Sequence, residues 1–220
     1  MSAVMAQSTC KRCGECCRQG GPALHARDLG LVRGGKIPIS SLITIKKGEL
    51  THNPVTGVIQ PAGVELIKIA GKGKQWECCY YDEQKACTIY ESRPQACVLL
   101  KCWDTKDILD VVEKETLCRF DILGPDDPMI PVIREHDHLC PGADFLYLRD
   151  RTSQLSVQQE KELEEQVRDD LRFRTKVTGD FKLKLSEELF YFGRPLFQLL
   201  QMSGAVVSES RSGVTLRWKI

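Results

Sequence analysis

The sequence predicts an α+β protein: a small cysteine-rich domain organised by metal, with short helices and an antiparallel meander, then a helical C-terminal segment ending in a β-hairpin. Three observations predict it. Four thiols, Cys10, Cys13, Cys16 and Cys17, fall within eight residues. Short alternating apolar runs follow, separated by Gly, Pro and Asn. The last third has helical spacing and then two short β-rich runs. All 11 cysteines lie before residue 150. The expected division is therefore a metal-binding domain at 1–150 and a charged helix plus helix/β-hairpin subdomain at 151–220.

Hydrophobic residues make up 42% and charged residues 28%, an ordinary soluble composition. The net charge of +1 gives no global field toward nucleic acid or membrane. The N-terminus has no basic start followed by an apolar core, so no secretory signal is expected. No run nears the roughly 20 apolar residues of a membrane span. A reducing, cytoplasmic location is the expectation, and there clustered thiols act as metal ligands before they form disulfides.

In the octet Cys10-Lys-Arg-Cys-Gly-Glu-Cys-Cys17, two residues separate successive thiols, a spacing that lets neighbouring sulfurs converge on a metal or cluster. Gly14 lets the chain turn under them. Lys11, Arg12 and Arg18 offset thiolate charge. In extended backbone the adjacent Cys16 and Cys17 point to opposite faces, which predicts that one of them serves a second site. The competing reading is a disulfide framework or buried free cysteines.

Gly20-Gly21-Pro22 is a loop, and residues 23–33 read as a short helix closed by Gly34-Gly35. His25 and Asp28 lie on it; a lone histidine there reads as a solvated or packed side chain rather than a ligand, and is left out of the site. Residues 37–75 read as β, with alternating runs at 42–50 and 64–70 around turn signals at Asn53-Pro54, Thr56-Gly57 and Pro61-Ala62-Gly63. Gly71-Lys72-Gly73-Lys74 is a hairpin turn; it lacks the spacing of a phosphate-binding loop.

The second cysteine-bearing stretch, 76–102, holds Cys78, Cys79, Cys87, Cys97 and Cys102. Ser92-Arg93-Pro94 starts a helix that carries Cys97 and leads to Cys102. Arg93 and Lys101 again place positive charge near thiolates. The two stretches together resemble the YkgJ-type CxxCxxCC cysteine-cluster family, a zinc- or iron-chelating domain. The matching residues are Cys10, Cys13, Cys16 and Cys17, then Cys78, Tyr80-Tyr81, Cys87-Thr88-Ile89-Tyr90, Arg93-Pro94, Cys97 and Cys102. Cys79 stands where the family has proline, so Cys78 or Cys79 is the first ligand of this stretch. Leu100-Lys101 replaces an aromatic-proline pair. The resemblance implies metal or iron–sulfur binding and no settled reaction. The same signature in flagellin lysine N-methylases makes protein modification an alternative.

Residues 103–116 read as a helix capped by Asp104 or Thr105. Residues 126–131 read as a long loop. Cys140-Pro141 is a further candidate ligand, since proline shields cluster cysteines in ferredoxin-type runs. Cys118, His136 and His138 rank below it, the histidines as exposed residues flanking a turn. Residues 153–176 read as a helix with the stripe Leu163, Val167 and Leu171, broken by Thr178-Gly179-Asp180. A helix from Ser186, interrupted at Gly193-Arg194-Pro195, leads to strands at 205–208 and 214–218. This end is winged-helix-like, with Arg172, Arg174, Lys176, Lys182 and Lys184 nearby. The alternative is a subdomain that packs on the cysteine domain or meets a protein partner. The neutral whole-chain charge argues against nucleic acid. Having no cysteine, residues 181–220 are expected to be dispensable for metal.

The function expected is a cytosolic metal-binding protein, with one or two iron–sulfur centres and a redox role. The alternatives are a structural zinc module and a protein-modifying enzyme. No dinucleotide fingerprint, nucleophile elbow or HExxH motif supports an enzyme. The candidate metal ligands are Cys10, Cys13, Cys16, Cys17, Cys78, Cys87, Cys97 and Cys102, with Cys140 as an added ligand.

Overall fold

The computed structural model describes residues 7–141, 145, 148, 155–210 and 213–218. Residues 1–6, Gly142, the expected helix start at 153–154 and the Arg211-Ser212 turn lie outside the described residues. The architecture is α+β, as the sequence predicts. Its strands pair in twos, all antiparallel: β1 (Leu42–Ile45) with β4 (Leu66–Ile69), β2 (Leu50–Asn53) with β3 (Val58–Pro61), β5 (Gly71–Lys72) with β6 (Glu77–Cys78), and β7 (Tyr81–Asp82) with β8 (Ala86–Cys87). The β2–β3 hairpin is thus an excursion between the two partners of the β1–β4 ribbon. The chain ends on a hairpin of β9 (Ala205–Ser210) and β10 (Gly213–Trp218). Among the described residues no helix is long and apolar enough to cross a membrane.

The helices are α1 (Glu15–Arg18), α2 (Leu29–Arg33), α3 (Gln95–Leu99), α4 (Lys106–Leu109), α5 (Arg119–Ile122), α6 (Met129–Leu139), α7 (Val157–Phe181), α8 (Leu185–Phe192) and α9 (Leu196–Met202). Several differ from the sequence reading. The helix expected at 23–33 begins at Leu29, after a 3-10 turn at Ala26–Asp28, because residues 23–25 are held extended by bridges to Lys68 and Thr116. The helix expected at 103–116 is a single turn, α4. Glu113 and Glu115 have positive φ, and Leu117 N–H donates to Leu24 O instead of continuing a helix. The loop expected at 126–131 gives way to α6: Asp127 accepts from Met129 N–H, and Pro131 falls in the first turn, where a missing N–H costs nothing. Finally, α7 runs through Thr178-Gly179-Asp180 and stops at Lys182, whose φ is 52°. A Ser156–Gln159 capping box starts it.

Two apolar clusters hold these elements. One gathers Leu24, Ile37, Leu42, Ile67, Ile69, Tyr81, Ile133, Phe190 and Phe192. The other gathers Leu50, Leu163, Val167, Leu199, Leu200 and Leu216. Phe190 and Phe192 belong to α8, so residues beyond 181 complete the cluster that supports the cysteine-bearing strands. Thr44 Oγ donates to the Phe190 carbonyl across this junction.

A chain of buried charges ties the same elements. Arg119, 3% exposed, forks onto Glu65 and also reaches Asp137 and the Tyr191 carbonyl. Asp137 pairs with Lys46 at 2.7 Å. Asp170 accepts from His136, Arg174 and Leu196 N–H, and Arg174 continues to Glu188. Burial alone would raise the Asp170 carboxyl. These donors outweigh it and hold the pKa down at about 2.

Candidate metal centre

Gly14 sets the geometry of the first motif. Its φ is 80°, a left-handed conformation, and the Tyr81 ring lies where a side chain would be. The chain then makes the single turn α1. Arg18 at the end of that turn donates to the Tyr81 hydroxyl at 2.5 Å and to Glu15 at 2.7 Å. Helical backbone corrects the expectation for the adjacent pair. Cys16 and Cys17 do not point apart; their sulfurs lie 4.0 Å from one another. Sulfurs about 2.3 Å from a tetrahedral ion are roughly 3.8 Å apart, so this pair is spaced like one edge of a metal site.

The second motif comes to meet it. Cys78 sits on β6, paired with Gly71, and Cys87 on β8, paired with Tyr81. Cys97 is on α3. Ser92 does not cap that helix; it lies in a 3-10 turn, and Asp28 accepts from the Gln95 N–H at 2.8 Å. Buried Asp28 therefore fixes the helix of Cys97 to the segment after the octet.

Cys16, Cys17, Cys78, Cys87 and Cys97 line one cavity of about 390 Å³. The other candidates stand elsewhere. Cys79 is beside Cys78 but outside the wall. Cys10, Cys13 and Cys102 are exposed. Arg12 N–H donates to Cys10 Sγ at 3.4 Å, and Gln7 reaches Cys102 Sγ at 3.7 Å, so the N-terminal arm passes close to Cys102. Cys118 sits at the start of α5, where its N–H donates to Asp121.

The cavity thiols disfavour one another's ionisation. Burial first, then Cys16, Cys78 and Cys87, pushes the Cys17 thiol up to about 12. Burial and the same neighbours, with Cys17, push Cys97 up further still. Cys78 is raised by burial, with Cys87 and Cys16 adding to it. Thiols arranged this way stay protonated until a cation supplies the opposing charge. The positive residues serve them unequally. Lys101 pairs with Asp107 at 2.6 Å, so it is not the thiolate partner the sequence predicts. Arg93 and Arg12 stack on Tyr90, and Arg93 Nε is buried without a hydrogen-bond partner.

The sequence reading left His25 out of the site, yet it lines the same cavity, 4% exposed. Its Nδ1 lies 2.9 Å from the Lys114 carbonyl, which only an N–H can satisfy. In the neutral ring Nε2 then keeps its lone pair, the orientation of a ligating histidine. No local signal in the sequence marks it, because the carbonyl is 89 residues away.

Cys140 is held away from these thiols. With His136 and Asp170 it forms, among the described residues, the one group of three metal-binding side chains whose ligand atoms all lie within 4.8 Å. His136 is buried on α6, not exposed beside a turn. Both Asp170 oxygens already accept hydrogen bonds. Lys46 Nζ is 3.2 Å from His136 Nδ1, and the Arg174 guanidinium adjoins Asp170. Two fixed cations oppose a third, so the arrangement acts as a cross-link between α6 and α7.

The family model described as "CxxCxxCC: Putative zinc- or iron-chelating domain" matches residues 9–119. No curated protein and no solved structure matches the chain.

Proposed function

The chain belongs to the CxxCxxCC family of zinc- or iron-chelating domains, and from that premise we propose that it carries a cysteine-ligated iron–sulfur centre among Cys16, Cys17, Cys78, Cys87 and Cys97. The single observation behind this reading is the convergence of five thiols from both motifs on one cavity. Soft thiolates suit zinc and iron–sulfur clusters alike. The number of thiols favours the cluster: one tetrahedral ion takes four ligands, whereas five cysteines line this cavity. A bound cluster would supply one-electron chemistry. The chain's own residues would ligate it and shield it from water, with Arg93 in the cavity wall offsetting its negative charge. His25 is available as a nitrogen donor. Cys10, Cys13 and Cys102 would close the open side or serve a second centre. All eleven cysteines are free thiols, in keeping with a reducing, cytoplasmic setting. In this reading residues 1–150 hold the metal chemistry and 151–220 support it by packing.

Zinc is the second reading, favoured by the 4.0 Å Cys16–Cys17 spacing. Anaerobic purification followed by iron, zinc and acid-labile sulfide analysis separates the two. The iron–sulfur reading expects a brown protein that bleaches with dithionite. A colourless protein with stoichiometric zinc and no sulfide overturns it.

A further inference from the structure

The same cavity extends away from the thiols along β4. Cys78 pairs with Gly71. Lys68 lies three residues before Gly71, roughly 10 Å along the chain, and Leu66 lies further still. Leu66 and Lys68 alternate with buried Ile67, so they share the face of β4 that turns to the cavity. Ile108, Val111 and Val112, from the turns around α4, add apolar lining to this cavity, to which Thr51, His52, Asn53 and Glu113 contribute polar groups.

Three other inward-facing cations are paired with acids. Arg119, Arg174 and Arg194 each contact a buried or half-buried carboxylate. Among the described residues Lys68 has no carboxylate or other side-chain partner. Glu113, the acidic residue in the wall, accepts instead from the Gly63 N–H at 3.1 Å. Burial, followed by the charge of Arg194, pushes the Lys68 amine pKa down. An amine drawn into an apolar wall without an anion is costly, and an anion that binds beside it recovers that cost. Arg93 is set at the other end, next to the helix of Cys97.

We infer that this end of the cavity binds a small amphiphilic carboxylate, its head on the Lys68 amine and its alkyl chain against Leu66, Ile108, Val111 and Val112. The whole cavity, thiol end included, is about 390 Å³, so its Lys68 end suits a ligand of a few carbons rather than a drug-sized one. The inference rests on the cavity and on Lys68 and stands whether or not the metal reading holds.

The test is calorimetric titration of the full-length protein, as purified anaerobically, with hexanoate, hexanol and hexylamine. Metal content is measured on each sample. Hexanoate is expected to bind at least tenfold more tightly than hexanol, with hexylamine weakest. Lys68→Met should lose at least tenfold in hexanoate affinity with its metal content unchanged, and Lys68→Arg should keep most of it. No hexanoate binding by the wild type, equal binding of hexanoate and hexanol, or unchanged affinity in Lys68→Met each overturns the inference. So does loss of metal in Lys68→Met, which would make the amine the counter-charge of the thiolates. A sample that lacks metal yet binds hexanoate through Lys68 sinks the metal reading alone.

Discussion

Replacing Gly14 with alanine tests whether the metal centre depends on the turn beneath its thiols. Gly14 has φ of +80°, and a Cβ there would lie 2.3 Å from Tyr81 Cε2 and 2.8 Å from its hydroxyl oxygen. The ring cannot easily move aside, since Tyr81 is 4% exposed and its hydroxyl is held by Arg18. The left-handed conformation costs an alanine about 1–2 kcal/mol. Forcing a methyl into a packed site adds about 1–3 kcal/mol, so the strain is about 2–5 kcal/mol. In metal-free protein α1 can fray and shed it. In metal-bound protein Cys16 and Cys17 must hold their places, so the strain appears as lost affinity. At 1.4 kcal/mol per factor of ten, that is a weakening of roughly 30- to 4,000-fold. The assay is anaerobic competition for zinc or cobalt against a chelator of known affinity. Gly57→Ala is the control: φ is +71° but nothing lies within 4 Å, so metal affinity should be unchanged. Gly14→Ala with affinity within about threefold of wild type would refute the reasoning.

Serine replacement of Cys17 or Cys97 should remove most of the bound metal, whereas Cys118→Ser and Cys140→Ser should keep it; metal counts on the purified variants check this. Loading should release about one proton per thiolate ligand, because burial and neighbouring thiols keep Cys17 protonated, with a pKa near 12; affinity should rise with pH, and a pH-independent affinity would count against thiolate ligation. Asp170 is held down at about 2, while an unfolded aspartate titrates near 3.9. Its contribution is therefore complete above that value and is lost as the pH falls toward 2, about 2 kcal/mol in urea unfolding; Asp170→Asn should flatten this acid limb without changing metal content. Deleting residues 181–220 removes Phe190 and Phe192 from the apolar cluster they share with Tyr81, so the truncated chain should unfold at lower urea than the full chain.

The sequence by itself determined that the protein is a metal-chelating one and determined its strongest local structure. Two cysteine motifs at ligand spacing marked the zinc- or iron-chelating domain. The apolar stripe of Leu163, Val167 and Leu171 announced α7, and the glycine-proline break separated α8 from α9, because stripes and breakers act over a few residues. Tertiary structure decided the rest. Cys16 and Cys17 face together because Gly14 and Tyr81 wind that stretch into a turn. Residues 115–117 leave the helix because Ala26 N–H donates to Glu115 O and Leu117 N–H to Leu24 O. His25 and Lys68 reach the cavity, and Cys140 is drawn off to His136 and Asp170, through contacts spanning tens of residues. Thiol spacing fixes which atoms can bind a metal, since that is a property of a few consecutive residues. Which of them share a site depends on where distant backbone donors, acceptors and apolar faces find their partners, and only the folded chain brings those together.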